Sequence, residues 1–265
     1  MAPHTPIPAH APGPDGRLRP LPGLTVSRVV GKLQSGYRQD APWAVASVAR
    51  LRREAGREAH VSPTAWGLDH LELLAELRDE RRHAIREARR AQSVDPAYLS
   101  SRGYVDRERE ELREDNAVHV TVTLWALHQQ SLRDEAMHLS GWGLGRAVRR
   151  LAHGGAESEP VEEVSEPVRR RFVRVGSASD TEVLAGRLRE LVLLLRTARI
   201  PLDYARLADQ LMWWQDENQR DTVRRAWGRD FHRRYRSAER TSGGAGENTD
   251  PDDGPVTPEE LDVDA

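Results

Sequence analysis

Apolar residues recur at helical spacing through most of the chain. Residues 183–195 show this most clearly, because their apolar positions cover one broad face of a helix, at Val183, Leu184, Leu188, Leu191, Val192 and Leu195. The next segment has the i, i+3, i+4, i+7 spacing of an amphipathic helix, at Tyr204, Leu207, Ala208 and Leu211. Similar but shorter patterns precede these two. Together they predict an all-α protein, a helical bundle of about eight to nine helices.

Residues with helix-capping side chains indicate where these helices begin. A side-chain oxygen at the N-cap accepts a hydrogen bond from a first-turn backbone N–H, which otherwise has no partner within the helix. Proline is tolerated in that first turn, as expected at Pro42 and Pro167. The N-caps that we predict are Thr25 or Ser27, Asp40, Asp180, Asp203 and Asp216.

Residues 117–124, with the sequence AVHVTVTL, fit two patterns. Their alternation of apolar and polar residues is typical of a strand, whereas Val120, Leu124 and Leu127 fall on one face of a helix. No other stretch offers a partner strand, and a lone strand has nothing to pair with. We therefore predict a helix here.

The helical body is flanked by two tails of biased composition. Residues 1–23 hold seven prolines, and residues 241–265 hold eight acids and no base, so both are predicted to be disordered. The body is predicted to divide into an N-terminal helical subdomain, residues 24–153, and a C-terminal helical subdomain with basic faces, residues 160–240. A mobile loop or insertion is predicted at residues 95–115, where helix-breaking residues cluster, at Asp95, Pro96, Ser100, Ser101 and Gly103.

The composition excludes several classes of protein. Without cysteine the chain can form neither a disulfide scaffold nor a thiolate metal site. No apolar run approaches the roughly 20 residues of a membrane helix, and the N-terminus lacks the order of a signal peptide, which predicts a cytoplasmic protein. With only two phenylalanines, aromatic burial falls largely on tryptophan. Core positions are predicted for Trp43, Trp66, Trp125 and Trp227.

Charge is unevenly distributed along the chain. The net charge is −2 at pH 7, but eight of the 42 acids lie in the C-terminal tail, which leaves 34 acids against 40 basic residues before it. Residues 1–240 therefore carry about +6. Lys32 is the only lysine, and arginine guanidinium groups suit bidentate contacts with phosphate. We expect a basic body that binds nucleic acid and an acidic tail that competes with nucleic acid for the basic face.

Trp213 and Trp214 cannot share one face of a helix, because they are adjacent. Trp214 lies nearer to the apolar stripe that begins at Tyr204 and is predicted to point inward, whereas Trp213 points away. An exposed tryptophan can stack on a nucleotide base. The burial habits of tryptophan favour packing against a neighbouring helix or a partner subunit instead.

Two short patterns raise the question of a ligand or metal site. The turn GWGLG at residues 141–145 lacks the Lys-Ser/Thr of a P-loop and has no preceding strand, so it does not predict a nucleotide site. Glu80/His83 and Glu135/His138 both have the E-x-x-H pattern of helical di-iron carboxylate enzymes. The first pair lies in a highly charged run, and no inward-facing glutamate is expected on the other helices. The surroundings of the two pairs therefore disfavour a di-iron carboxylate enzyme, which remains the less favoured alternative.

A series of motifs follows in order along the chain: LRREAG, ALHQQS, MH, GLGRAVRRL, VRRRFVRV, LRELVLLLR, IPLDYARLADQLMWWQ and RDTVRRAWGRDFHR. In their order and family-like spacing these motifs resemble the CasB family, the small subunit of the type I-E Cascade complex of CRISPR immunity. The resemblance spans approximately residues 35–235. The two tails and residues 86–114 fall outside it.

The resemblance implies a non-catalytic small (inner) subunit of a crRNA-guided surveillance complex, without cofactor or metal. It implies as partners crRNA, target and non-target DNA, the Cascade backbone subunits, the large subunit and a second copy of the chain. In that setting basic helical surfaces stabilise the guide–target duplex and the displaced strand of the R-loop in antiviral defence, while base pairing reads the sequence. A stand-alone helical nucleic-acid-binding protein is the alternative outside such a complex.

The candidate nucleic-acid-binding residues are arginines expected on the outer faces of the later helices. A single surface arginine is often merely solvated, but arginines on several helices together predict a phosphate-binding surface. The candidates are Arg146, Arg149, Arg150, Arg169, Arg170, Arg171, Arg174, Arg189, Arg196, Arg225, Arg229, Arg233 and Arg236.

Overall fold

The computed structural model describes residues 19–61, 66–91, 101–154 and 165–233. Within these ranges the chain forms nine α-helices and no strand, apart from a single parallel bridge between His138 and Leu202. The prediction of an all-α protein is confirmed. The helices are α1 (Leu21–Arg38), α2 (Pro42–Arg53), α3 (Asp69–Ala91), α4 (Ser101–Gln129), α5 (Leu144–Ala152), α6 (Glu166–Gly176), α7 (Thr181–Thr197), α8 (Tyr204–Trp214) and α9 (Glu217–His232).

The second half of α4 lies at the centre of the bundle. Residues 117–129 are all buried, because α1, α2, α3, α7 and α8 all pack against α4. Thr121 and Thr123 remain satisfied there, since their hydroxyls donate to the backbone carbonyls of Ala117 (2.6 Å) and His119 (2.8 Å). The helix predicted for residues 117–124 is confirmed. Burial on every side explains why this helix lacks a polar face and resembles a strand in sequence.

One cluster of buried apolar side chains connects the two parts of the chain that we predicted as subdomains. α1 packs along α8, and α4 packs against both α7 and α8. Leu24 and Val30 of the first part therefore share a core with Leu207 and Leu211 of the second. In the part of the chain that the structure describes, the two subdomains have no separate cores.

The later helices begin where their capping residues predict. The carboxylates of Asp180, Asp203 and Asp216 accept hydrogen bonds from first-turn backbone N–H groups, at 2.8, 3.0 and 3.0 Å. Asp180 is exposed and Asp216 is half-exposed, so each contributes to stability mainly through this local capping hydrogen bond. These three predicted caps are confirmed.

The first two helices begin differently from the prediction. α1 starts at Leu21 with Pro20 at its N-cap, so Thr25 and Ser27 lie inside the helix. Proline offers no capping side chain, and the carboxylate of Asp209 on α8 accepts from the Gly23 N–H instead, at 2.7 Å. α2 has Ala41 at its N-cap, not Asp40.

Residues 101–115 form the first half of α4, not the loop that we predicted for residues 95–115. Their sequence is rich in glutamate and arginine, which are good helix formers. The guanidinium group of Arg78 on α3 also holds this segment, at 2.6 Å from Glu114 and 2.8 Å from Asp115. Residues 92–100 lie outside the described residues.

The tryptophans divide between core and surface. Trp125 and Trp227 are buried as predicted, whereas Trp43 and Trp66 are 48% and 68% exposed, so the core prediction was wrong for them. Trp43 lies in the first turn of α2, where an edge of its indole packs against Gly36 of α1 and the rest of the ring is left partly exposed. The predicted contrast between a buried Trp214 and an exposed Trp213 is confirmed.

The predicted tails lie mostly outside the described residues, which begin at Arg19 and end at Arg233. The last residues of the predicted N-terminal arm, 21–23, belong to α1. Among the helices that the structure describes, none combines the length and the apolar character needed to cross a membrane.

Candidate nucleic-acid interface

Two glycines bring α5 against α9. A Cβ atom on Gly145 would lie 2.5 Å from the backbone nitrogen of Phe231, and one on Gly143 would overlap the carboxylate of Asp230. Only glycine allows the two helices to approach this closely. The glycines of the GWGLG turn therefore serve helix packing, in agreement with the absence of a P-loop pattern.

Arg146 and Arg150 stack on Trp142 at the start of α5. Their guanidinium carbons lie 4.0 and 5.4 Å from the centroid of the indole ring, which is cation–π geometry. The three residues are spaced by four and so lie on one side of the helix. We did not identify Trp142 from the sequence, although its spacing from the two arginines is a signal of this contact.

Arg149 lies on the opposite side of α5 and is buried. Its exposed fraction is 1%, and its Nη1 donates to the carbonyl oxygen of Phe231 at 3.1 Å. The side chain thus belongs to the packing between α5 and α9. The prediction of Arg149 as a nucleic-acid contact is corrected, because its side chain is buried in the folded chain.

The four arginines of α6 are all exposed. Arg169 and Arg170 bind the carboxylate of Glu166, with Nε to oxygen distances of 2.6 and 2.9 Å. The hydrogen bond from Arg169, followed by that from Arg170, lowers the pKa of Glu166 to about 2. Arg171 donates to the carbonyl oxygen of Pro167 at 3.2 Å, and Arg174 has no acidic partner among the described residues.

A shallow groove of about 360 Å³ runs between α6 and α7. Phe172 stacks on Phe231 of α9, with ring centroids 5.3 Å apart, and this contact turns the arginines of α6 outward. Three of these arginines line the groove, and Glu190 is the one acid in its lining. The lining residues are Pro167, Arg170, Arg171, Arg174 and Glu190. The groove is therefore a cationic concavity suited to an anion such as a backbone phosphate.

The arginines of α7 border other parts of the molecule. Arg189 is exposed and lies beside the turn at Gly56 that follows α2. Arg196 is half-buried, and its Nη1 donates to the side-chain oxygen of Gln130 at 3.5 Å. The structure does not bring these two arginines together with those of α6.

The arginines of α9 lie along its exposed side. Arg225, Arg229 and Arg233 are exposed, and Arg225 donates to the hydroxyl of Thr222 at 3.3 Å. Arg236 lies outside the described residues. α5 packs against both α6 and α9, so the three helices adjoin. We call their exposed or half-exposed arginines the α5–α6–α9 arginines: Arg146, Arg150, Arg169, Arg170, Arg171, Arg174, Arg225, Arg229 and Arg233.

The two E-x-x-H patterns do not form a metal site. Glu135 binds Arg199 at 2.9 Å, while Nδ1 of His138 accepts from the backbone N–H of Tyr204 at 3.2 Å. His83 is exposed and lies 3.5 Å from Glu87. Among the described residues no three histidine, aspartate or glutamate side chains lie close enough to hold a metal ion. The residues present therefore do not fit a di-iron site.

Comparisons with known proteins agree on one family. A family model of the CRISPR-associated protein Cse2 matches residues 47–232. The crystal structure of CasB from Thermobifida fusca is 41% identical, with a TM-score of 0.58, and the match covers 81% of this chain and 99% of that chain. Comparison with curated proteins gives no match. The chain therefore belongs to the Cse2/CasB family of CRISPR-associated proteins.

Proposed function

We propose that this chain is the non-catalytic small subunit of a type I-E CRISPR surveillance complex, Cascade. In this role it stabilises the guide–target duplex and the displaced DNA strand during antiviral defence. The observation that carries the proposal is that a member of the Cse2/CasB family presents four exposed arginines on one short helix, α6. Its partners are then crRNA, both DNA strands, the backbone and large subunits and a second copy of itself in the cytoplasm.

The chemistry of the arginines suits binding without sequence preference. Guanidinium groups contact phosphate oxygens in a fixed fork geometry, and such contacts carry no information about the bases. Base pairing between guide and target reads the sequence, so the protein needs only to hold backbone and shape. The α6–α7 groove, which Arg170, Arg171 and Arg174 line with Glu190 as the one acid in its lining, supports such a role.

The first test is recovery of the complex. The chain is co-expressed with its genomic neighbours and crRNA and purified through a tag on this chain. A stoichiometric particle of several hundred kilodaltons that contains one short RNA is the expected result. A chain that purifies alone and binds nucleic acid would instead support the stand-alone nucleic-acid-binding protein.

The second test concerns the groove itself. Replacing Arg170, Arg171 and Arg174 by glutamine should weaken single-strand binding and reduce the slope of log K against log salt by about 2, since each phosphate contact contributes about 0.7. Arg199→Gln is the control for the loss of one exposed charge outside the groove, because Arg199 pairs with Asp134 and Glu135 at 2.7 and 2.9 Å and does not line the groove. An unchanged slope in the triple variant would contradict the assignment of the groove.

A further inference from the structure

A second cationic groove, of about 330 Å³, lies between α1, α2 and α3. It is distinct from the α5–α6–α9 arginines. Its floor is apolar and includes Leu33, Leu51 and Leu68. Three cations line it, at Arg28, Lys32 and Arg50, and Asp69 is the one acid among the described lining residues. We call this feature the Trp43 groove, after the aromatic residue that forms one wall.

The indole of Trp43 packs against α1. A Cβ atom on Gly36 of α1 would lie 2.6 Å from Cζ2 and 2.9 Å from Cη2 of the indole, so the ring packs directly on the backbone of α1. Lys32 lies over the ring, with Nζ 5.5 Å from its centroid. The ring nevertheless remains 48% exposed. Trp43 is thus a half-exposed aromatic surface beside a cluster of cations.

This combination has a specific binding chemistry. Proteins that bind single-stranded nucleic acid stack the bases on aromatic side chains and hold the backbone with cations. The volume of the Trp43 groove is at the lower end of the range for small-molecule sites, which suits one base rather than an extended ligand. The apolar floor would receive the base, and the cations would lie near its flanking phosphates.

The groove beside Trp213 lacks this chemistry although that tryptophan is also exposed. It has a volume of about 740 Å³, and Arg109 and Arg113 meet three acids, at Asp106, Glu110 and Asp216. An excess of acids disfavours phosphate and suits a protein surface of mixed charge. The two exposed tryptophans therefore point to different kinds of partner.

We propose that the Trp43 groove binds one unpaired nucleobase, stacked on Trp43, with Lys32, Arg28 and Arg50 near the adjoining phosphates. The inference rests on the proposed function, to which it adds a base-stacking contact separate from the α5–α6–α9 arginines. The unpaired base belongs either to the displaced DNA strand or to an exposed part of the crRNA. Both sources present the same chemistry to the groove.

Photo-crosslinking in the assembled complex tests the contact directly. Complexes are prepared with 5-iodouracil either in the displaced DNA strand or in the crRNA, irradiated, and analysed by peptide mass spectrometry. A crosslink to Trp43 is expected from one of the two strands, and the strand that gives it is the source of the base. Trp66 is the internal control, because it is more exposed, at 68%, but does not line the groove.

Substitutions separate stacking from charge and from folding. Trp43→Leu should lower the affinity of the complex for the crosslinking strand about tenfold, whereas Trp43→Phe should retain most of the affinity. The salt slope should stay unchanged in Trp43→Leu and fall by about 0.7 in Arg50→Gln. Trp66→Leu should change neither quantity. Thermal unfolding of each variant shows whether the subunit is intact, and Trp43→Phe provides the comparison if Trp43→Leu does not fold.

Two outcomes would overturn the inference. The first is a complex that opens target DNA normally but gives no crosslink to Trp43 from either strand, which leaves the proposed function in place. The second concerns a complex that contains crRNA but no target DNA, and in which the crRNA gives no crosslink to Trp43. If Trp43 is still protected from oxidation in that complex, a protein surface covers the groove. Failure to recover any RNA with the tagged chain would instead contradict the proposed function itself.

Discussion

At the scale of single residues, three buried histidines make the fold sensitive to acid. Nε2 of His70 lies 3.1 Å from Nδ1 of His119, and Nδ1 of His128 lies 2.8 Å from the hydroxyl oxygen of Tyr204. Burial lowers the pKa of His70 and of His128 from 6.5 to about 3, and that of His119 to about 4. All three are therefore uncharged in the folded protein at neutral pH.

We expect the free energy of unfolding to fall as the pH falls below 6.5. The unfolded chain then binds protons that the folded chain excludes, so stability is fully present above the unfolded pKa and is lost on acidification. Between pH 8 and pH 5 the loss should be about 2 kcal/mol for each of His70 and His128. Urea unfolding of the free subunit at both pH values measures it.

Two variants test whether these histidines cause the loss. His128→Gln should reduce the difference between pH 8 and pH 5 by the contribution of one histidine, even if it lowers stability at both. His83→Gln is the comparison at an exposed site, because it removes a histidine without disturbing the core. A His128→Gln chain that loses as much stability as the natural chain on acidification would contradict the prediction.

At the scale of helices, the contact between α5 and α9 depends on the absence of a single methyl group. Gly145→Ala would place its Cβ atom against the backbone of Trp227 and Phe231, which cannot move aside as a flexible side chain could. We expect a loss of about 1–3 kcal/mol in the free energy of unfolding, which is typical of overpacking. Chemical denaturation measures it.

The matched control for this substitution lies in α7. An added Cβ atom at Gly186 meets no atom within 4 Å, so Gly186→Ala should stabilise the chain by about 0.4–1 kcal/mol through reduced backbone freedom in the unfolded state. Effects of the same sign in both variants would refute the packing explanation.

Asp203 connects a helix to a loop. Its Oδ1 accepts from the backbone N–H of Arg206 at 3.0 Å, and its Oδ2 accepts from that of Gly141 at 2.9 Å. Asp203→Ala should therefore cost more than Asp216→Ala, which removes a cap worth about 1 kcal/mol and a half-exposed ion pair with Arg113 that contributes little. The difference should be about 1 kcal/mol for the second hydrogen bond. Equal losses in denaturation experiments would show that the loop contact contributes nothing.

The sequence predicted α7 and α8 well because each buries one face and exposes the other. The start of α1 was missed because Asp209, which takes the role of its cap, is 186 positions away in the chain. The burial of Arg149 was missed for a similar reason. Spacing places a residue on a side of its own helix, but only the packing of α9 shows which side of α5 is covered.

At the scale of the whole molecule, the balance of charge can be read from the sequence, whereas the contacts of each arginine cannot. Counting charges was sufficient to predict a basic body, because the sign of the net charge depends only on the numbers of acidic and basic residues. The individual contacts depend on neighbours that the sequence does not specify. Glu166 holds Arg169 and Arg170, while Trp142 orients Arg146 and Arg150.

The separation of charge along the chain leads to a prediction about the acidic tail. Deleting residues 241–265 changes the net charge from −2 to about +6, so the free subunit should bind single-stranded DNA several-fold more tightly at low salt. Fluorescence anisotropy measures the affinity. The difference should shrink at high salt, where exposed charges are screened.

A tail of equal length, with its eight acids replaced by serine, is the matched control for this deletion. It should behave as the deletion does, because the effect is one of charge and not of chain length. Unchanged affinity in both chains would rule out competition between the tail and nucleic acid.

The packing of α1 along α8 also sets the order in which the newly made chain can fold. The ribosome adds about 5–20 residues per second, so on the order of ten to thirty seconds separate the synthesis of α1 from that of α8. During that interval the apolar side of α1 has no α8 to cover it, and α4 lacks two of its neighbours. Complete folding must therefore follow synthesis of the last helices, and a chain truncated before α7 would leave the apolar sides of α1 and α4 uncovered.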